Sequence, residues 1–239
     1  VTASIISSGR ARLAFALDYP NLEAAREGAA QVASSVGVLK VGLELFVKEG
    51  PPAVRLGSEL GCDVFLDLKL HDIPETVSRA VSSAGSLGAR YLTLHAAGGP
   101  RMLEAAVAAA QPSGLTLLAV TVLTSLDASD LKATGVGDEP AEQVLRLAKL
   151  AVGAGVRGLV CSAAEVGLLR RELGPDVVLV TPGIRPAGPR DDDQKRVATP
   201  AKAVRDGASL LVVGRPIRDA ETPALAAQSI AEEIGRELL

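Results

Sequence analysis

Tryptophan is absent, and only three Phe and two Tyr occur in 239 residues. A core in this chain is therefore built from Ala, Val and Leu rather than from rings. Nucleic-acid binding usually draws on a basic patch with stacking aromatics. Scarce rings and a formal charge of −3 argue against a nucleic-acid partner. No apolar run approaches the roughly 20 residues of a membrane span, so no membrane association is expected. The opening Val1-Thr-Ala-Ser-Ile-Ile-Ser-Ser8 lacks the basic and long apolar regions of a secretory leader. The two cysteines, Cys62 and Cys161, fall beside or within apolar runs. They read as buried free thiols, which points to a reducing, cytoplasmic location. The two histidines, His71 and His95, belong to no His-x-His or His-Glu-x-x-His pattern and no cysteine cluster exists, so no metal is expected.

What is present is apolar and regularly punctuated. Hydrophobic residues make up 48% of the chain, enough for a large core, and the length suits one α/β barrel. Eight apolar runs rich in β-branched residues occur: Arg12–Asp18, Val38–Leu43, Asp63–Leu70, Tyr91–Ala96, Leu115–Leu123, Gly158–Ala163, Val177–Thr181 and Leu210–Gly214. Between them lie helical-period segments such as Leu22–Val36, Thr76–Leu87, Arg101–Ala110, Glu142–Ala154 and Ala164–Leu173, and the chain ends in another, Pro223–Leu238. Strand-helix alternation repeated eight times predicts a parallel sheet closed into a (β/α)8 TIM barrel, one α/β domain over residues 1–239. The competing architecture is an open doubly wound sheet. It calls for a Gly-x-Gly-x-x-Gly turn after the first strand, where Asp18-Tyr-Pro-Asn21 stands instead. Gly61, Gly88, Gly155 and Gly207 each precede a strand and read as helix C-caps. Two connections exceed what a barrel needs, Thr124 to about Pro140 and 182–200; a loop of that length without structure of its own is usually a lid, a binding loop or a disordered insert. Within it, Asp191 to Asp193 followed by Lys195 and Arg196 reads by itself as a solvated tip.

One stretch concentrates charge, Asp63-Val-Phe-Leu-Asp-Leu-Lys-Leu-His-Asp-Ile-Pro-Glu-Thr76. Period two puts Val64, Leu66, Leu68 and Leu70 on one aliphatic face, with Phe65, Asp67 and Lys69 on the other. Charges on the second face of an apolar strand are costly unless they meet each other, a ligand or water. Pro74 stands where a helix starts, with Asp72 before it. A lone Asp-x-Lys reads first as a structural ion pair. Here Asp72 follows at the exit, and Lys40 stands inside a second apolar run, where a buried ammonium needs a carboxylate. In a barrel, chemistry gathers where strands exit into helices. Those exits carry Asp18, Lys40, Asp67, Lys69, Asp72, His95, Thr124, Ser162, Pro182 and Gly214-Arg215. After the eighth strand, Gly214 permits close backbone approach, Arg215 offers a planar fork, and Pro216 opens a helix. That arrangement suits phosphate.

Asp67-Leu-Lys-Leu-His-Asp-Ile-Pro-Glu-Thr76 closely resembles the signature of the orotidine 5′-phosphate decarboxylase family. Asp18, Lys40, Thr121-Val-Leu-Thr-Ser125, Val160-Cys-Ser-Ala163, Thr181-Pro-Gly-Ile-Arg-Pro186, Asp193-Gln194 and Val213-Gly-Arg-Pro216 recur in order, so the likeness covers nearly the whole chain. The long seventh connection resembles the bacterial form. The resemblance implies conversion of orotidine 5′-monophosphate to uridine 5′-monophosphate without cofactor or metal, in a homodimer with shared active sites. It implies Lys69 as proton donor, Asp67 beside the departing carboxylate, and Lys40 and Asp72 completing the charged chain, with Asp72 from the other subunit. It implies ribose contacts from Asp18 and Lys40, and from Thr76 of the other subunit. Thr124 is matched to the pyrimidine, and Gln194, Gly214 and Arg215 to the phosphate with Arg185 nearby. Ile73 and Leu123 are matched to an apolar wall.

Three rivals share parts of this inventory. A related barrel decarboxylase or epimerase acting on a sugar phosphate has the same Asp-x-Lys-x-x-Asp core, usually with magnesium. Thr124 and Gln194, which suit a nucleobase and a phosphate together, separate it. A Schiff-base aldolase would use Lys40 or Lys69 as nucleophile, but neighbouring carboxylates raise a lysine's pKa. A silent nucleotide sensor would not need both lysines and both aspartates.

Overall fold

The computed structural model describes residues 2–186 and 198–239. Eight parallel strands close into a barrel in sequence order: β1 (Leu13–Ala16), β2 (Val38–Gly42), β3 (Asp63–Leu70), β4 (Tyr91–His95), β5 (Thr116–Val120), β6 (Gly158–Val160), β7 (Val178–Thr181) and β8 (Leu210–Val213). Each lies within the apolar run expected for it. Closure runs through Leu13↔Leu211, Ala14↔Val212 and Phe15↔Val213.

Period two sorts the side chains into two cores. Leu13, Phe15, Leu39, Leu66, Leu92 and Leu94 point outward and pack under the helices. Ala14, Val38, Phe65, Leu118, Val180, Leu210 and Val212 fill the barrel itself. Size is matched across strands, because a Cβ at Gly158 would run into the Leu118 side chain of the paired strand. Further along the same inner faces the chemistry changes. Val38 is followed by Lys40, Phe65 by Asp67, and Tyr91 by Thr93. An apolar plug thus lies beneath a polar layer at the C-terminal ends of the strands.

Proline and glycine set the helix limits. Pro51, Pro74, Pro100, Pro140, Pro200 and Pro223 each open a helix, where the missing N–H is not needed. Gly61 ends the helix Pro51–Leu60 in the left-handed conformation (φ 65°), and Gly88, Gly155 and Gly207 also have positive φ, as their place before strands predicts.

Two elements go beyond the sequence reading. A helix, Thr2–Ala11, precedes β1 and packs backbone to backbone on the last helix, Pro223–Arg236. A Cβ at Gly9 would meet the Ala231 carbonyl, and one at Gly235 the Ile5 carbonyl. The 124–140 connection holds a short helix, Ala128–Ala133, with a capping box between Asp127 and Asp130. Those two carboxylates therefore cap the start of that helix.

Candidate active site

The charged layer is built by three neighbouring strands. Lys40 on β2 and Asp67 on β3 are each about one-eighth exposed. Lys40 Nζ lies 3.4 Å from Asp18 Oδ1, just beyond β1, and 3.7 Å from Asp67 Oδ2. Lys69 Nζ donates to both Asp67 oxygens at 2.8 Å. The Thr93 hydroxyl of β4 donates to Asp67 Oδ1 at 2.8 Å. The result is a row Asp18–Lys40–Asp67–Lys69 in which each buried charge faces an opposite one. Burial pushes the Asp67 carboxyl up, but the Lys40 and Lys69 ammonium groups and the hydrogen bonds from Lys69 and Thr93 outweigh it. Asp67 is held below the usual carboxylate range.

The pairing of β3 with β4 slips around Lys69. Leu66 pairs with Leu92, yet Leu70 pairs with Leu94, so β3 uses four residues where β4 uses two. Within this bulge Lys69 adopts φ 51°, the only positive φ at a non-glycine among the described residues. The sequence reading put Lys69 on the Phe65–Asp67 face by period two. All three line the same cavity, as period two predicts; what period two does not give is the bulge, which turns the Lys69 backbone and brings its amine onto Asp67.

A cavity of about 270 Å³ opens at this end of the barrel. Of the site residues expected from sequence, Asp18, Lys40, Asp67, Lys69, Leu123, Thr124, Arg185, Gly214 and Arg215 line it. Its floor is apolar, from Ala16, Phe65, Val120, Val160 and Val212. Gly214 caps the short helix Arg215–Arg218, and a Cβ there would sit 3.4 Å from Asp18 Oδ2 and from Ala16 Cβ. The described flanks of the 182–200 connection meet in a bridge between Ile184 and Ala198, with the Arg185 amide donating to the Ala198 carbonyl at 3.0 Å. Gln194 and the acid run Asp191 to Asp193 lie outside the described residues.

Three expected residues do not line this cavity. Asp72, Ile73 and Thr76 sit in the exposed stretch His71–Thr76 that enters the helix Pro74–Ser86. Ile73 is 65% exposed, so in its own chain it forms no apolar wall. Asp72 accepts from the neighbouring Ile73 amide at 2.6 Å.

The sequence reading also missed members of the site. Thr93 is fully buried. Its signal was a single hydroxyl between Leu92 and Leu94 on an otherwise apolar strand. Arg218 was missed as well, and it donates to the Asp18 carbonyl at 3.0 Å while pairing with Asp219. His95 meets the His71 ring, 5.4 Å between centroids and tilted by 31°. Burial, then the His71 and Lys69 charges, hold His95 below the ordinary imidazole range, against the pull of Asp67. Cys161 at the rim of the floor is pushed up to about 12, chiefly by burial, which makes it a packed thiol rather than a nucleophile. Among the described residues no three His, Cys, Asp or Glu side chains are grouped to hold a metal ion, and no helix is long and apolar enough to cross a membrane.

A closed barrel with acids and amines alternating over an apolar floor at its C-terminal mouth defines a TIM-barrel enzyme acting on a small polar molecule. Residues 11–230 match the profile of the Orotidine 5'-phosphate decarboxylase / HUMPS family, and the chain belongs to that family. It is 59% identical over 220 residues to the orotidine 5'-phosphate decarboxylase of Anaeromyxobacter sp. (strain K), covering 92% of this chain and 96% of that one. It is 52% identical over 227 residues to the enzyme of that name from Thermobifida fusca, covering 94% and 96%. The crystal structure of orotidine 5'-phosphate decarboxylase from Lactobacillus acidophilus superposes with a TM-score of 0.81 at 36% identity, covering 93% of this chain and 98% of that one.

Proposed function

We propose that this chain removes CO2 from orotidine 5′-monophosphate to give uridine 5′-monophosphate, the last step of de novo pyrimidine synthesis, without cofactor. The observation that carries this reading is the Lys69 ammonium, 2.8 Å from both Asp67 oxygens at the mouth of an apolar-floored cavity. When the carbon–carboxylate bond breaks, its electron pair stays on a ring carbon and lies outside the ring π-system. A fixed ammonium stabilises that charge where it forms and then donates a proton to the same carbon. Water restores the proton to Lys69.

Magnitudes assign the work. Enzymes at the high end lower a barrier by about 20 kcal/mol. Repulsion between Asp67 and a substrate carboxylate about 4 Å away amounts to about 4 kcal/mol at an effective dielectric near 20. Ground-state repulsion is thus the smaller share, and Lys69 electrostatics the larger. Asp67 also aims the Lys69 amine. Asp18 and Lys40 bind the ribose, Thr124 the pyrimidine, and Arg215, Gly214, Arg185 and Gln194 the phosphate, with Leu123 on the apolar wall. Phosphate binding, remote from the reacting carbon, closes the 182–200 loop and fixes geometry.

The active form in this reading is a homodimer in the cytoplasm. Asp72, Ile73 and Thr76 reach the partner's cavity. Support comes from their exposure, and from the large apolar residues Leu43 and Val47 standing 50% and 81% exposed after β2, the strand beside β3. The decisive test follows the ultraviolet absorbance of orotidine 5′-monophosphate in metal-free buffer with a chelator. Conversion to uridine 5′-monophosphate is expected. No conversion, or conversion only after magnesium is added, overturns the reading.

A further inference from the structure

The bulge in β3 leaves a backbone problem that Thr93 solves. A non-glycine residue with φ 51° is strained by contact between its Cβ and its own backbone. It persists only where its surroundings fix it. The slip from Leu66↔Leu92 to Leu70↔Leu94 takes the Lys69 amide out of the regular ladder with β4. A buried N–H without an acceptor is costly. Thr93 supplies the acceptor, since the Lys69 amide donates to Thr93 Oγ1 at 2.9 Å. The same hydroxyl spends its one proton on Asp67 Oδ1 at 2.8 Å. One oxygen therefore ties the backbone of the amine-bearing residue to the carboxylate that receives the amine. Thr93 is itself fully buried and is not among the residues lining the cavity. Whatever it does for the reaction, it does through Lys69 and Asp67.

We infer that Thr93 is a positioning residue whose hydroxyl locks the Lys69 backbone in its left-handed conformation, so that the amine reaches the reacting carbon from Asp67. The inference rests on the decarboxylase reading for its activity arm only. Its structural arm stands on the bulge alone.

Thr93→Val keeps the shape and removes the hydroxyl, and Thr93→Ala serves as a second hydroxyl-free form should the valine form not fold. Thr93→Ser keeps the hydroxyl. With orotidine 5′-monophosphate, the hydroxyl-free forms are expected to lose about 10- to 100-fold in kcat, the change that one hydrogen bond to a charged group corresponds to. KM and the Kd for uridine 5′-monophosphate should stay within about threefold, because nothing that binds ribose or phosphate is altered. The acid limb of the kcat profile should move to higher pH, since the Asp67 carboxylate loses a donor. Thr93→Ser should recover most of the loss. A crystal structure of Thr93→Val should show Lys69 out of its positive φ or its amine off Asp67. A kcat within about threefold of wild type, a rise confined to KM, or a fixed acid limb overturns the inference. So does an unchanged Lys69 in the variant structure. An inactive wild-type protein would strike the decarboxylase reading instead and leave the crystallographic arm to decide on Thr93.

Discussion

Lys69 joins a backbone strained by the bulge to an amine held by two hydrogen bonds on one carboxylate. Charge placed by the fold in this way acts on the transition state far more than on ground-state binding. Lys69→Ala should therefore lower kcat by several orders of magnitude and leave uridine 5′-monophosphate binding largely intact; single-turnover rates beside calorimetry would tell, and a modest loss in kcat would refute the proton donor. His95 makes a different kind of prediction. The unfolded imidazole takes up a proton near pH 6.5, while the folded one does so only at lower pH. Between those values the unfolded chain holds more protons, so stability falls as pH drops through about 6.5 and the fall ends once folded His95 titrates. Asp67, depressed when folded, adds a separate loss. Its contribution is complete above the unfolded carboxylate value near 3.9 and disappears as pH falls through the folded value. Melting curves of His95→Gln should lack the first decline and keep the second. A decline below about pH 6.5 equal to wild type would remove His95 as its source.

At the scale of elements, the alternation of strand and helix was legible because each signal is local. Prolines open the helices, glycines end them, and β-branched runs make the strands. The helix Thr2–Ala11 was not legible, because its reason is a distant surface. Its Gly9 and the Gly235 of the last helix let two backbones touch. Gly235→Ala should cost about 1–3 kcal/mol of stability through overpacking, seen as a lower Tm, with kcat of the folded enzyme unchanged because the contact is remote from the mouth. An unaltered Tm would mean that the two helices part without cost. The β3 bulge was equally hidden. Period two is a rule within one strand, whereas the slip arises between two.

For the whole molecule, the exposed turn His71–Thr76 is the part that one chain leaves without a role in its own cavity. If sites are shared across a dimer, mixing inactive Lys69→Ala and Asp72→Asn subunits restores activity. Random reassortment makes about half the dimers mixed, each with one intact site, so about a quarter of wild-type activity is expected. No recovery, with mixed dimers demonstrated by mass spectrometry, returns Asp72 to its own subunit.

The sequence by itself determined the eight-fold alternation, the apolar plug and the identity of the charged groups, because side-chain type and local period are written residue by residue. Asp18, Lys40, Asp67 and Lys69 could all be named from strand exits. Only the tertiary structure decided how they meet. Parallel pairing of successive strands sets β1, β2 and β3 side by side, the register slip against β4 turns Lys69, and Thr93 from that neighbouring strand holds it. Distances between strands depend on pairing across the chain, which no local pattern encodes.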